Sequence, residues 1–421
     1  MSLANQSLAA HQQTSAAARP DRLALIAGKT SYSWYELREA SLPQFGQSRK
    51  HDVPLCKAGS ALDLALYAYA SSLENRPFWP VHRSSEQNTP RLHPEAALII
   101  STSGSEGQPR AVQLSNGQMT RAAAATNARL GLQAGDAWLN CLPLYHIGGQ
   151  SILWRCALAG ASVVLHEGFE PEAVARDFAR YAITHISLVP AMLARLLDVG
   201  IAPPPSLRCA MIGGAALSLP LYQRGVAVGW PLRPSYGMSE TSAQIATWQP
   251  DDGPWHEGLV GHVMPGHEVA IAPDGRIRLR GPQLMLGYVD GSGLDADGWF
   301  TTGDLGRLDA EGRLTVLGRA DDMLTSGGKN VHPLEVESCL AACPGVIDVA
   351  VTGRPDPVWG DLVVALVVGP VDIEELQAHA REHLHSAALP RCVLHLDRLP
   401  RNATGKLERA ALRQLAREAK A

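Results

Sequence analysis

The sequence predicts an α/β fold. We expect a large N-terminal domain of parallel strands and helices with a small antiparallel β-subdomain, followed by a small α+β C-terminal domain. Strand-like apolar runs alternate with helical segments between residues 98 and 233. Short strands separated by Gly/Asp turns fill residues 258–318, and mixed α/β periodicity resumes after residue 322. A chain of 421 residues, 46% of them hydrophobic, can bury a core of this size.

The sequence predicts few regular elements in the N-terminal region. We expect strands at 23–26 and 30–34, a helix at 61–73 and a loop at 83–93. Residues 20–95 are expected to form a shortened first subdomain.

Residues 96–233 predict a mainly parallel sheet with helices on both faces, because strands and helices alternate along the chain. A strand at 96–100 precedes the other elements. The further predicted strands are 137–142, 161–165, 185–189 and 209–212, and the predicted helices are 116–130, 149–159, 171–181 and 190–199.

The remaining sequence divides at a charged tetrapeptide. Residues 234–318 are expected to form the β-rich subdomain, with strands at 275–280 and 312–317. We place a boundary at 319–322, which leaves residues 1–318 as the large domain and 323–421 as the C-terminal domain. In the latter we expect a helix from Pro333, strands at 347–351 and 362–368, and a helix at 373–384.

Composition narrows the function classes. A net charge of −4 with scattered basic residues predicts neither a nucleic-acid partner nor a membrane surface. None of the seven cysteines is in a C-x-x-C pair, so we predict no disulfide framework and no zinc site. Residues 1–18 lack a signal-peptide pattern, and we expect a cytoplasmic protein.

A hydroxyl- and glycine-rich loop at 101–110 follows the apolar run 96–100. Its glycines let the backbone approach a ligand, and its hydroxyls add donors beside the backbone N–H groups. These features suit a polyphosphate, although an ordinary Ser/Gly turn has the same composition. The candidate residues are Thr102, Ser103, Gly104, Ser105, Gly107 and Arg110.

Three later segments add candidate residues. In 235–241, Tyr236 offers a stacking face for a base, whereas Glu240 and Thr241 offer oxygens for Mg²⁺ or phosphate. Asp304 follows a Thr-Thr-Gly turn and is able to accept hydrogen bonds from ribose hydroxyls. Lys406 follows a Thr-Gly turn near the end of the chain. Each segment alone also fits a surface turn or a solvated charge.

The order and spacing of these segments resemble the adenylate-forming superfamily of acyl- and aryl-CoA synthetases, luciferases and peptide-synthetase adenylation domains. The matches run from about residue 23 to residue 412. Seven segments resemble signatures of this superfamily. They are the phosphate loop (102–110), the adenine-side strand (213–215), the Tyr-Gly-x-(Ser/Thr)-Glu-Thr signature (235–241), the ribose motif (302–306), the hinge (318–321), the thioester loop (326–328) and the catalytic lysine (405–406).

The resemblance implies a two-step reaction. A carboxylate attacks the α-phosphate of ATP to form an acyl-adenylate and pyrophosphate, and a thiol, usually coenzyme A, then displaces AMP. It implies catalytic roles for Lys406, Glu240 and His146, with Glu240 holding Mg²⁺. The implied nucleotide-binding residues are Thr102, Ser103, Gly104, Ser105, Gly107, Arg110, Gly213, Gly214, Ala215, Tyr236, Gly237, Thr241, Asp304 and Arg319.

The family also implies a mobile C-terminal domain. This domain carries Lys406 and rotates about Asp321 after adenylation, which brings Gly327 and Gly328 to the thiol tunnel. The family pattern suggests a monomer or a homodimer.

The substrate is inferred from residues 141–155 and 187–197, which look most like o-succinylbenzoyl-CoA synthetases. No Asp lies between residues 137 and 177, which disfavours an amino acid. We expect an acyl pocket that includes His146, Gly149, Arg155, Gly214 and Gly237, in which Arg155, Arg195 and His146 could pair with a second carboxylate.

Other functions stay open at this point. The acid could be a hydroxybenzoate or cinnamate type, and the acceptor could be coenzyme A or a carrier protein. A weakly active homologue that binds nucleotide or an acyl group for a partner enzyme is the alternative of a different class.

Two departures from the family pattern bear on activity. The phosphate loop has Glu106 where the family mostly has Thr, and Arg110 where it mostly has Lys. The region before the loop is also shorter than the family's first subdomain, which leaves the dimer surface and one wall of the groove undefined.

Overall fold

The computed structural model describes residues 6–42, 53–83, 92–102, 110–401 and 406–418. Its helices are α1 (Leu8–Ala18), α2 (Trp34–Ala40), α3 (Ala61–Leu73), α4 (Asn116–Leu130), α5 (Ile147–Ala159), α6 (Pro171–Arg180), α7 (Pro190–Asp198), α8 (Leu219–Ala227), α9 (Pro333–Ala341), α10 (Ile373–His383) and α11 (Arg409–Glu418). In the ranges given above, we find no helix long and apolar enough to cross a membrane.

The strands are short and numerous. They are β1 (Leu23–Ala27), β2 (Thr30–Ser33), β3 (Leu55–Lys57), β4 (Phe78–Pro80), β5 (Ala96–Thr102), β6 (Arg110–Ser115), β7 (Ala137–Asn140), β8 (Ser162–Leu165), β9 (His185–Leu188), β10 (Cys209–Ile212), β11 (Leu232–Met238), β12 (Ala243–Thr247), β13 (Leu259–Gly261), β14 (Glu268–Ile271), β15 (Arg276–Arg280), β16 (Gly287–Tyr288), β17 (Phe300–Leu308), β18 (Leu314–Arg319), β19 (Leu324–Ser326), β20 (Lys329–Val331), β21 (Asp348–Asp356), β22 (Gly360–Val368) and β23 (Cys392–His395).

An eight-stranded sheet forms the centre of the large domain, in the order β12-β11-β10-β9-β7-β8-β1-β2. The pairings from β11 to β1 are parallel, whereas β2 and β12 add antiparallel edges. Neighbouring residues of β1, β7 and β8 enter two different cores: Leu25, Trp138 and Val163 lie in one, and Ile26, Leu139 and Val164 in the other. Both faces of the sheet are therefore covered, which confirms the predicted α/β class.

Three smaller sheets complete the fold. One has the order β16-β6-β5-β4-β3, and an antiparallel sheet has the order β13-β18-β17-β15-β14. The C-terminal segment forms β20-β19-β22-β21, with β23 parallel to β22. The β-rich region and the α+β C-terminal region are thus confirmed as elements of the fold.

The sheets differ from the sequence prediction in two respects. Strands β1 and β2 join the central sheet, although residues 20–95 were expected to form a separate subdomain. Strands β5 and β6 pair antiparallel in the second sheet instead of joining the parallel one. The strands on the two sides of residue 95 therefore belong to different sheets from those that the sequence predicted. The domain boundaries themselves stay predictions.

Helix α1 was not predicted. Its buried positions include His11, Gln12 and Ser15 as well as apolar residues, so the sequence shows no apolar stripe at helical spacing. His11 lies 2.9 Å from the Thr120 hydroxyl, and α1 packs on α5. Tertiary contacts, rather than amphipathic periodicity, hold this helix in place.

Candidate active site

Tyr236 and Asp304 meet near the carboxyl ends of the central strands. The Tyr236 hydroxyl on β11 donates to Asp304 Oδ2 on β17 at 2.7 Å. Burial, with the charge of Asp304, raises the pKa of Tyr236 well above its usual value, so the phenol stays neutral and keeps donating. Arg319 Nη1 lies 3.4 Å from Asp304 Oδ1, and Arg319 Nε lies 3.0 Å from Asp321. One carboxylate is thus held by an aromatic hydroxyl and a guanidinium.

A second carboxylate, Glu240, lies in the helical turn Ser239–Thr241 between β11 and β12. The Tyr288 hydroxyl donates to Glu240 Oε1 at 2.7 Å and fixes its orientation. The guanidinium of Arg110 stacks on the Tyr288 ring, 3.4 Å from its centroid, and pairs with Asp290 at 3.2 Å. Arg110 is therefore tied to the 288–292 segment. No sequence motif identified Tyr288 as a site residue.

Lys406 lies beside both carboxylates. A Cβ built on Gly214 would lie 3.6 Å from Lys406 Cε. Although part of the lysine is exposed, burial lowers the pKa of its ammonium, and the charges of Asp304 and Glu240 oppose that change. The C-terminal segment therefore brings its lysine to the edge of the central sheet in this conformation.

His146 completes the group as the N-cap residue of α5. Burial lowers the pKa of His146 to about 4, and the charges of Lys406 and His82 add to this effect. At neutral pH the imidazole is uncharged. The ring of Tyr145 packs between those of His146 and His82, at centroid distances of 4.7 and 5.0 Å. His82 lies just before the predicted loop at 83–93 and had no sequence signal beyond its residue type.

Some predicted site residues form hydrogen bonds with the backbone or allow close backbone packing. The Thr241 hydroxyl is buried, donates to the Ala243 carbonyl at 2.6 Å and accepts from the Met238 N–H at 3.0 Å, so it is engaged within its own turn. A Cβ on Gly237 would lie 2.0 Å from the Ala243 carbonyl oxygen, and one on Gly149 would lie 2.5 Å from the Pro143 carbonyl oxygen. These glycines permit close backbone packing. The structure thus gives Thr241 a structural task where a cofactor contact was expected.

The other predicted residues are placed as follows. Thr102 ends β5 and donates to the Arg110 carbonyl at 3.1 Å. Gly213 and Ala215 follow β10, whereas Gly327 and Gly328 form the β19–β20 turn. Gly327 N–H donates to the Trp359 carbonyl at 2.8 Å. Ser103, Gly104, Ser105 and Gly107, like Glu106, lie outside the described residues.

Arg155 is buried in α5, with 2% of its surface exposed. Its Nε and Nη1 have no hydrogen-bond partner within the described ranges, and its guanidinium lies 5.2 Å from the Trp138 ring centroid. Burial lowers the pKa of Arg155 to about 10, so the group stays charged at neutral pH. A buried cation without an anion is costly, which makes this position a candidate site for an anionic ligand.

Further unpartnered polar atoms lie on the elements around Arg155. Helices α4 and α5 pack on each other and on β12. Their buried side-chain atoms without a partner in the described structure are Thr126 Oγ1, Asn127 Oδ1, Gln150 Oε1, Gln244 Oε1 and Nε2, and Thr247 Oγ1. This concentration favours a polar ligand or ordered water between these elements.

Arg195 does not share this environment. Its side chain is 56% exposed, stacks on Phe169 and lies 3.7 Å from Glu170. The expectation that Arg195 pairs with a substrate carboxylate is therefore withdrawn, because the outward face of α7 carries it into solvent.

A buried carboxyl joins the C-terminal segment to the rest of the chain. Ser338 on α9 donates to Glu257 Oε2, and Leu219 N–H lies 3.4 Å from the same oxygen. Burial raises the pKa of Glu257 to about 7, and the negative charge of Glu337 adds to the effect. Arg409 Nη1 lies 2.7 Å from Glu337 Oε1, so the guanidinium partly neutralises the charge of Glu337. The folded protein, in which the C-terminal segment contacts Glu257, therefore favours the protonated form of the Glu257 carboxyl over the ionised form.

Glu257→Gln is expected to make stability less dependent on pH. The folded protein holds the Glu257 proton more tightly than the unfolded chain, so this contribution is complete below about pH 4.5 and is lost as the pH rises through about 7. The wild type should lose up to about 3 kcal/mol relative to the variant across this window. Thermal unfolding between pH 5 and 8 measures the difference, with Glu172→Gln as an exposed control. Parallel curves for wild type and Glu257→Gln would refute the assignment.

The parallel sheet, the two positioned carboxylates and the lysine define a nucleotide-dependent enzyme. The family model of AMP-binding enzymes matches residues 47–289, and that of the AMP-binding enzyme C-terminal domain matches residues 335–406. The chain belongs to the AMP-binding enzyme family, which confirms the resemblance to the adenylate-forming superfamily.

Relatives and solved structures agree with this assignment. The 2-succinylbenzoate–CoA ligase of Bacillus velezensis is 38% identical over 336 residues, which are 76% of this chain and 69% of the relative. The Bacillus subtilis o-succinylbenzoate CoA synthetase in complex with the acyl-adenylate OSB-AMP matches with a TM-score of 0.85 at 30% identity, covering 97% of this chain and 98% of that one. Its complex with ATP and magnesium matches with the same score and identity, covering 96% and 98%.

Proposed function

We propose that this chain is an AMP-forming ligase that activates o-succinylbenzoate with ATP and transfers the acyl group to coenzyme A. Relatives with this activity cover most of the chain, and the candidate site contains the charged groups that the first step requires. The match to 2-succinylbenzoate–CoA ligases carries the substrate assignment, and buried Arg155, whose Nε and Nη1 have no hydrogen-bond partner in the described structure, supports it. An acid with two carboxylates keeps one charge after the other is activated, and Arg155 supplies its counter-ion.

The site residues fit ATP and Mg²⁺. Asp304 is oriented by Tyr236 and offers oxygens to ribose hydroxyls, while Glu240 is oriented by Tyr288 and offers a hard oxygen ligand to a divalent cation. When bound, Mg²⁺ neutralises part of the phosphate charge. Both carboxylates lie close enough to Lys406 to influence the pKa of its ammonium.

In the first step, Lys406 stabilises the charge that develops when the carboxylate oxygen attacks the α-phosphorus. The bond from that oxygen to phosphorus forms as the bond to the pyrophosphate oxygen breaks, and pyrophosphate leaves. Neutral His146 lines the acyl entrance without adding a competing positive charge. In the second step, the thiol sulfur attacks the acyl carbon, its proton passes to solvent, and AMP leaves.

The acceptor and the location are part of the same proposal. Coenzyme A is the acceptor in the names of the relatives, and a carrier protein is the alternative. All seven cysteines are free thiols in the structure, which fits the reducing cytoplasm in which we place the enzyme.

A pyrophosphate-release assay with a panel of acids tests the proposal. The panel contains o-succinylbenzoate, its analogue without the ring carboxylate, a hydroxybenzoate, a cinnamate and a medium-chain fatty acid. We expect release to be fastest with o-succinylbenzoate and a thioester to appear only when coenzyme A is added. Release with another acid alone would reject the substrate, whereas ATP binding without release from any acid would favour an accessory homologue.

A further inference from the structure

A cluster of metal-ligand side chains lies between α9 and α10. It consists of Cys339, His379 and His383, and one ligand atom from each lies within 4.8 Å of the others. The two imidazole rings lie 4.4 Å apart between centroids and are tilted by 30°. None of these residues belongs to the proposed adenylation machinery.

The fold explains why these residues meet. His379 and His383 are four residues apart on α10, so they occupy the same face of the helix. Cys339 lies in the last turn of α9, and α9 packs against α10. Buried Leu340 and Leu376 belong to the core that joins the two helices. The cluster therefore stands on two regular elements with a common core, which limits its freedom.

Backbone hydrogen bonds orient both imidazoles. His379 Nε2 lies 3.0 Å from the Cys339 carbonyl, and His383 Nδ1 lies 2.9 Å from the His379 carbonyl. A carbonyl can only accept, so these two nitrogens carry the hydrogens. The other nitrogen of each neutral ring keeps its lone pair, which is the state of a histidine that binds a metal.

We propose that Cys339, His379 and His383 bind one Zn²⁺ ion. Sulfur and imidazole ligands select zinc over magnesium or calcium, which prefer oxygen. Binding replaces the thiol proton of Cys339 with the metal and releases that proton to solvent. Since His383 is exposed, a water molecule supplies the fourth ligand of a tetrahedral site.

The absence of C-x-x-C pairs from the sequence predicted no zinc site. The pattern that this criterion missed is Cys339-x₃-Cys343 followed by His379-x₃-His383, which has the spacing of many zinc sites. In the structure, Cys343 is not part of the group within 4.8 Å, so we assign only three protein ligands.

A bound zinc ion would tie the end of α9 to α10. Helix α9 also carries Ser338, which contacts Glu257, and Glu337, which pairs with Arg409. The ion would therefore stiffen the helix through which the C-terminal segment contacts residues 251–258. The adenylation site contains none of its ligands, so we assign the ion no part in the adenylation reaction.

Metal analysis of the tag-free, full-length chain tests the proposal. After equilibration with Zn²⁺ and removal of free metal, we expect one zinc per chain by elemental analysis. With Co²⁺ in its place, we expect thiolate-to-cobalt charge-transfer absorption, which reports the sulfur ligand. Zinc should also raise the melting temperature.

Substitutions identify the ligands. Cys339→Ser should remove the charge-transfer absorption, and His383→Ala should weaken zinc binding by at least about tenfold. Cys392→Ser and His385→Ala serve as controls from the same part of the chain and should retain the metal. Circular dichroism of each variant verifies its fold.

Two results would overturn the proposal. One is the absence of stoichiometric zinc and of a cobalt–thiolate spectrum in the wild type, which requires no variant to interpret. The other is zinc binding that neither Cys339→Ser nor His383→Ala changes, because the metal would then occupy a different site.

Discussion

Lys406→Ala is expected to slow pyrophosphate release by about 10²- to 10³-fold with the carboxylic acid and ATP. The substitution removes the ammonium that lies beside Asp304 and Glu240, whose charges influence its pKa. Since the lysine stabilises charge that develops only in the transition state, kcat should fall more than the affinity for ATP. Single-turnover pyrophosphate release, together with ATP binding by calorimetry, separates the two effects.

The same variant should retain the second half-reaction. Thioester formation from a supplied acyl-adenylate and coenzyme A does not need Lys406 if the C-terminal domain withdraws it after adenylation. Lys29→Ala, which removes an exposed lysine from the β1–β2 turn, is the control and should match the wild type in both steps. Equal loss of both half-reactions in Lys406→Ala would contradict the proposed domain rotation.

Arg155→Met is expected to lower kcat/KM for o-succinylbenzoate by about 10²-fold and to leave the analogue without the ring carboxylate almost unaffected. Arg155 Nε and Nη1 have no hydrogen-bond partner in the described part of the chain, so we expect a ligand carboxylate to gain a counter-ion there. Methionine approximates the length of the aliphatic part without the charge. Steady-state kinetics with the two acids measures the difference.

Stability provides a second readout for this position. Replacing a buried, unpaired charge with an apolar side chain is neutral or stabilising, so the melting temperature of Arg155→Met should not fall. Arg195→Met, a matched change at an exposed arginine, should alter neither acid's kinetics. An equal loss of activity with both acids in Arg155→Met would show that Arg155 shapes the core and does not select the substrate.

Local sequence patterns predicted the regular elements well where one face is apolar. The predicted helices 61–73 and 116–130 and the strand 209–212 agree with α3, α4 and β10. The sheet that each strand joins was harder to predict from the sequence. The sequence has no local signal that sends 23–33 to the central sheet and 96–115 to another, because strand pairing depends on contacts distant in the chain.

The family motifs named candidate site residues, whose roles stay predictions, but they did not predict how these residues pack. Tyr236, Asp304, Glu240 and Lys406 come together as their order suggested. Tyr288 and His82 were missed, since an isolated Tyr or His in a turn carries no pattern. The difference between Arg155 and Arg195 also needed the structure, because both are arginines on helices and only burial separates them.

Arg319 couples the nucleotide pocket to the start of the C-terminal segment. Its guanidinium contacts Asp304 in β17 and Asp321 in the tetrapeptide 319–322. If Asp304 binds the ribose, as we propose, the ribose competes for that carboxylate and leaves more of the guanidinium to Asp321. By thermodynamic reciprocity, an orientation of the segment that changes this sharing also changes the affinity for the nucleotide. We therefore expect nucleotide binding and movement of the segment to be linked, with the Arg319 side chain as the shared component.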